Sequence, residues 1–247
     1  MLSPTESRTL LPLGLGLTAA AANVLGGLFI VRRDWSHQYL KYFVALGAGF
    51  MLAAAFLEVI PESLRLAGPS ALLLVLGGYF LVHFFEHTLA PHFHFGEETH
   101  LEAMMPQHAG FTALLGLTIH TFFDGVAIAS GFLVSNWLGG VIFLAVFLHK
   151  LPEGFTVASL MLASGQSRRT ALLASALLGV ATLAGVLLMN LLRADVGYAL
   201  PLSAGVTLYV AASDLIPEVN REPGVGMALV VFLGVALMLV LQRFVHM

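Results

Sequence analysis

Two short stretches decide the reading of this chain: His120-Thr121-Phe122-Phe123-Asp124-Gly125 and His149-Lys150-Leu151-Pro152-Glu153-Gly154. Each has the form His-x-x-x-acid-Gly. Each also sits inside a long apolar run, Gly110 to Val134 for the first and Trp137 to Ala163 for the second. On an α-helix, positions i and i+4 fall on one face about one turn apart, so each run aims an imidazole and a carboxylate at one point. Two such helices packed as an antiparallel pair supply His120, Asp124, His149 and Glu153 as four metal ligands. Ionisable groups at the centre of a bilayer cost about 2.5–3.5 kcal/mol each even on a lenient insertion scale. Lys150 brings the number on these adjacent runs to five, which points to a binding site or pathway.

Composition sets the class. The chain has 247 residues, 58% of them hydrophobic and 10% charged, with a mean hydropathy of +0.91. Those values describe an all-α integral membrane protein and leave no room for a separate soluble domain. The apolar runs are Leu10 to Val31, Leu40 to Ile60, Ser70 to Leu89, Gly110 to Val134, Trp137 to Ala163, Thr170 to Leu192, Tyr198 to Ile216 and Gly224 to Val245. Runs of about 20 residues suit spanning helices, so eight transmembrane helices in one domain are expected. The first is read as an uncleaved span, because its apolar run is too long for a signal-peptide core. Basic residues in the short loops number six on one side (Arg32, Arg33, Lys41, Arg168, Arg169, Arg221) and four on the other (Arg8, Arg65, Arg193, Arg243). That asymmetry places both termini outside the cytoplasm.

There is no cysteine, so any metal site is built from His, Asp, Glu, Met or backbone oxygen. Mixed nitrogen and oxygen ligation suits Zn²⁺, Cd²⁺, Fe²⁺, Mn²⁺ and Co²⁺, and without thiolate it binds moderately enough to release its ion. The expected activity is therefore transport of a divalent metal, with the ion and the lipid bilayer as partners. A net charge of −3 argues for no macromolecular partner, and nucleic acid is not expected. Pro152 predicts a kink beside the ligands, and Gly125 and Gly154 permit close backbone approach or local unwinding there. Lys150 has two readings: it pairs with Asp124 or Glu153, or it faces away from the site.

The long loop, residues 90–107, holds His92, His94 and His100 with Glu97, Glu98 and Glu102, and His83, Glu86 and His87 precede it. It reads either as a weak collector of divalent cations or as a solvated acidic loop. An internal repeat aligns Ala48 to Glu62 with Ala204 to Glu218 at seven identical positions, matching Glu58 to Asp214. The second and seventh spans run in opposite directions, so spans 1–3 and 6–8 are expected to form inverted repeats around spans 4 and 5. Glu58, Glu62, Asp214 and Glu218 are expected to cluster at the outer ends of those two spans as entrance acids, or to be plain solvated helix ends.

The paired motifs resemble the fourth and fifth helices of the ZIP (Zrt-, Irt-like protein) family of divalent-metal transporters, most closely its bacterial members. The likeness covers the whole chain. It implies first-site ligands at His120, Asp124, His149 and Glu153 and at Met51 on the second span. It also implies a homodimer in which helices 1, 4, 5 and 6 slide as an elevator against helices 2, 3, 7 and 8. The chain departs from the family pattern where a second metal is held: Thr121, Lys150 and Thr182 stand in place of those ligands. A mononuclear site is therefore expected, with the Lys150 ammonium where the second ion would lie. Two other classes compete, a zinc-dependent membrane hydrolase of ceramidase-like type and a bis-His haem protein using His120 and His149.

Overall fold

The computed structural model describes residues 4–32, 40–89, 107–192, 195–221 and 224–245. Among them no strand occurs. The order is α1 (Pro4–Arg32), α2 (Leu40–Ala54), α3 (Ile60–Ala67), α4 (Ala71–Leu89), α5 (Gln107–Val134), α6 (Asn136–Ala163), α7 (Arg168–Leu192), α8 (Val196–Tyr209), α9 (Ile216–Arg221) and α10 (Val225–Val245). A π turn, Ala55–Val59, joins α2 to α3, and another, Val210–Leu215, joins α8 to α9. A 3-10 turn at Gly68–Ser70 leads from α3 into α4.

Seven segments of the described chain are long and apolar enough to cross a membrane, and one of them, Val44–Phe85, is 42 residues long. That segment holds both the second and the third predicted spans, with the reversal at Gly68, whose φ of +62° favours a residue without Cβ. Burial follows the order expected for a lipid solvent: Leu191 is 81% exposed and Leu73 72%, whereas Lys150 and Glu153 are fully buried. In water that distribution would leave apolar surface wet and desolvate charge, so the surrounding solvent is hydrocarbon.

The two π turns occupy matching places in the two copies of the repeated sequence. Pro61 and Pro217 each follow one, and the N–H groups of Ile60 and Ile216 reach back five residues to the carbonyls of Ala55 and Ala211. A proline offers no N–H of its own, and the backbone ahead of each one widens by a residue.

Two groups of helices can be followed through the packing. In one, α1, α5, α6 and α7 pack on each other; in the other, α2 packs on α10, α4 on α8, and α2 and α3 against the α8–α9 segment; the groups meet where α2 packs on α6 and α5 on α8. Within each group glycines face backbone across the contact. A Cβ on Gly205 would lie 1.9 Å from the Val75 carbonyl oxygen, and one on Gly78 would lie 2.0 Å from that of Leu202. The same reciprocal contact joins α2 to α10 through Gly49 and Gly234, α5 to α7 through Gly125 and Gly185, and α1 to α6 through Gly26 and Gly154. Close backbone approach of this kind supplies the dispersion contact that holds helices together where lipid removes the hydrophobic drive. Between the groups, where α2 meets α6, a Cβ on Gly47 would meet Leu148 at an ordinary 3.7 Å.

Pro152 does not unwind its helix: α6 is helical from Asn136 to Ala163. Of the two roles expected for Gly125 and Gly154, the structure shows close backbone approach, against the Thr182 and Asn23 carbonyls.

Candidate metal centre

The site is made by two helices joined through one residue, Ser135, whose hydroxyl accepts the Leu138 N–H and starts α6. Packing of α5 on α6 brings His120 and Asp124 opposite His149 and Glu153. One ligand atom from each of these residues lies within 4.8 Å of the others, and all four residues are buried.

Asp124 Oδ2 is the centre of the cluster. It lies 3.2 Å from His120 Nε2, 3.2 Å from His149 Nε2 and 2.6 Å from Lys150 Nζ. His149 Nδ1 is 2.9 Å from the Ala145 carbonyl oxygen, which can only accept, so Nδ1 carries the proton. In the neutral ring, Nε2 then turns a lone pair toward the carboxylate. Two acceptors face each other there, an arrangement that a cation between them relieves, and the bonded Nδ1 orients the ring as a metal-ligating histidine requires. Neither ring nitrogen of His120 makes a hydrogen bond among the described residues, nor does Asp124 Oδ1.

Lys150 lies in the site. Its ammonium is 2.5 Å from Glu153 Oε2 and donates to Thr121 Oγ1 at 3.3 Å, while the Thr121 hydroxyl donates to Glu153 Oε1. Of the two readings of Lys150, the paired one describes the structure. Thr182 is buried on α7, where its hydroxyl donates to the Leu178 carbonyl and its own carbonyl packs against Gly125. Met51 is fully buried on α2, in the core that also holds Ala145 and Val157 of α6.

The expected entrance acids do not share one mouth. Because α2 packs on Val210–Leu215 and α9 while α3 packs on α8, the two helical segments are antiparallel and their C-terminal ends point opposite ways. Glu58 and Glu62 therefore lie at one end of the pair, and Asp214 and Glu218 at the other. Glu62 is bonded to Arg65, Asp214 is buried, and Glu58 is half-buried with an oxygen lacking a hydrogen bond. His92, His94 and His100 lie outside the described residues. Before them, His83 and His87 stack on α4 with ring centroids 4.0 Å apart.

Among the buried polar residues that the sequence does not single out is Asn23. It is fully buried on α1, neither amide atom is hydrogen-bonded among the described residues, and its backbone packs against Gly154. Its only signal was an amide within an apolar run.

Fold and site define a multi-pass, all-helical membrane protein with imidazoles and carboxylates gathered in its interior. Residues 96–242 match the ZIP zinc transporter family, and the chain belongs to that family. It is 32% identical over 144 residues to the zinc transporter ZIP13 homolog of Drosophila melanogaster, an alignment covering 54% of this chain and 41% of the fly protein. Zinc transporter ZIP9-A of Xenopus laevis is 25% identical over 271 residues, 87% of this chain and 88% of the frog protein. Human zinc transporter ZIP4 is 37% identical over 111 residues, 43% of this chain and 17% of the human protein. The chain thus spans less than half the length of the fly and human relatives and most of the frog one.

Proposed function

We propose that the protein carries a divalent transition metal, zinc foremost, across the membrane into the cytoplasm through a single-ion site made by His120, Asp124, His149 and Glu153. The observation that carries this reading is His149, whose Nδ1 contact with Ala145 leaves Nε2 facing Asp124 Oδ2 at 3.2 Å in a fully buried place. Family membership and the zinc-transporter names of the relatives agree with it. Met51 is the proposed fifth ligand, on its match to the family pattern. The ion count of one rests on the positive charge of Lys150, held beside both carboxylates.

Eight spans with both termini on one side follow if Val44–Phe85 crosses twice, the basic residues of the loops favour the outside for that side, and the π turns at matching places favour the two inverted repeats. Alternating access by an elevator is supported by the packing: glycine contacts bind each helix group internally, and the contact of α2 with α6 lacks them. A homodimer is proposed on the family resemblance. The hydrolase reading is not favoured, since the relatives are transporters and Lys150 occupies the carboxylates that would handle protons. The haem reading fails on space, because Asp124 Oδ2 sits between the two imidazoles.

The test is zinc entry into proteoliposomes loaded with a metal-sensitive dye. Saturable uptake by the wild type, abolished in both His149→Ala and Asp124→Ala, is the expected result. Uptake that survives both substitutions overturns the assignment of the site.

A further inference from the structure

Cargo and Lys150 compete for the same oxygens. Nζ is 2.6 Å from Asp124 Oδ2 and 2.5 Å from Glu153 Oε2, so an ion that binds through those two oxygens takes both from the ammonium. A buried ammonium that loses its partners beside a divalent cation is strongly unfavourable unless another acceptor receives it. The neighbouring helix α1 offers one. Asn23 is 0% exposed, and neither its Oδ1 nor its Nδ2 has a hydrogen-bond partner among the described residues. Its position relative to α6 is fixed by backbone contact: a Cβ on Gly154 would lie 1.9 Å from the Asn23 carbonyl oxygen and 2.8 Å from its Cα. Three residues on, a Cβ on Gly26 would lie 2.2 Å from the Leu151 carbonyl oxygen. Asn23 is therefore level with the turn of α6 that runs from Lys150 to Gly154, and Lys150, Glu153 and Gly154 share a helix face by their i, i+3, i+4 spacing. A buried amide with both atoms unpaired calls for an explanation, and a partner that arrives in another state of the site provides one.

We infer that Asn23 is a positioning residue that receives the Lys150 ammonium at its side-chain oxygen when a divalent ion takes Asp124 and Glu153. The inference rests on the metal-site reading above. Lys150 then works as a tethered counter-cation with two sets of acceptors. In the empty site it offsets one of the two carboxylate charges, and in the loaded site it withdraws onto α1.

The test is a double-mutant cycle read by zinc affinity of the purified full chain in detergent, in competition with a chromogenic chelator. His92, His94 and His100 are replaced by alanine throughout to silence the loop. With Lys150 present, Asn23→Leu is expected to weaken zinc binding roughly tenfold, the order for losing one hydrogen bond to a charged group. In a Lys150→Met background the same substitution is expected to change affinity by less than about twofold, because no ammonium needs receiving. Asn23→Asp, a stronger acceptor, is expected to tighten binding. Asn23→Ser, smaller but still an acceptor, stands in with Asn23→Ala should Asn23→Leu fail to fold. Equal weakening in both backgrounds, or none with Lys150 present, overturns this inference alone. Absence of zinc binding by the wild type, or binding unchanged in Asp124→Ala and His149→Ala, overturns the metal-site reading and this inference with it.

Discussion

In the proposed site Lys150 sets the charge, and charge limits how many ions such a site can hold. With both imidazoles neutral, Asp124 and Glu153 against Lys150 leave a net charge of −1, and one divalent ion brings the total to +1. A second ion would raise it to +3 in a fully buried place, where uncompensated charge is costly. One zinc ion per chain is therefore expected for the protein with its loop histidines replaced by alanine. Lys150→Glu exchanges the cation for a ligand and is expected to bind two, counted by equilibrium dialysis with elemental analysis. Two ions in the lysine protein would defeat the mononuclear reading. The four candidate ligands were legible because i, i+4 spacing is a local property that needs only a helix. The course of Lys150 was not. Its Cα lies about 100° around the helix from His149, and only the place of Asp124 on the facing helix decides whether a long side chain turns back into the site.

At the scale of the helix, runs of apolar residues were sufficient to locate the elements, since lipid admits few alternatives to a helix. Their internal irregularities were less legible. Pro61, Pro152 and Pro217 look alike in sequence, yet two of them follow π turns and Pro152 lies in an uninterrupted α6. The antiparallel placing of the acids also needed the packing of α2 and α3 on α8 and α9, which no single helix reveals. Glycine shows the same dependence on partners. On α8, a Cβ at Gly205 would meet the Val75 carbonyl oxygen at 1.9 Å and the Tyr79 nitrogen at 2.8 Å, both backbone atoms that cannot rotate aside. On α6, a Cβ at Gly140 meets nothing within 4 Å. Gly205→Ala is expected to destabilise by at least the ~1–3 kcal/mol of an overpacked core, lowering the melting temperature by several degrees. Gly140→Ala is expected to be neutral or to stabilise by up to about 1 kcal/mol through its better helix propensity. Thermal unfolding in detergent measures both, and equal shifts would remove the packing argument.

For the whole molecule, the elevator reading requires the two helix groups to slide past each other while each stays rigid. The absence of cysteine from the chain allows this to be tested with introduced pairs alone. A Cβ on Gly47 lies 3.7 Å from Leu148 Cβ across the contact of α2 with α6, and a Cβ on Gly16 lies 3.7 Å from Val186 Cβ on α7, within one group. Both separations match the mean of about 3.8 Å found in disulfides, so the two pairs differ chiefly in whether they cross the boundary. Gly47→Cys with Leu148→Cys, once oxidised, is expected to stop zinc uptake into proteoliposomes and to recover it on reduction. Gly16→Cys with Val186→Cys is expected to transport in both redox states, because the bond joins residues that move together. Uptake that continues through an oxidised Gly47–Leu148 bridge would mean that α2 and α6 keep their contact throughout the cycle. The ion would then have to pass between helices that open only locally around Asp124.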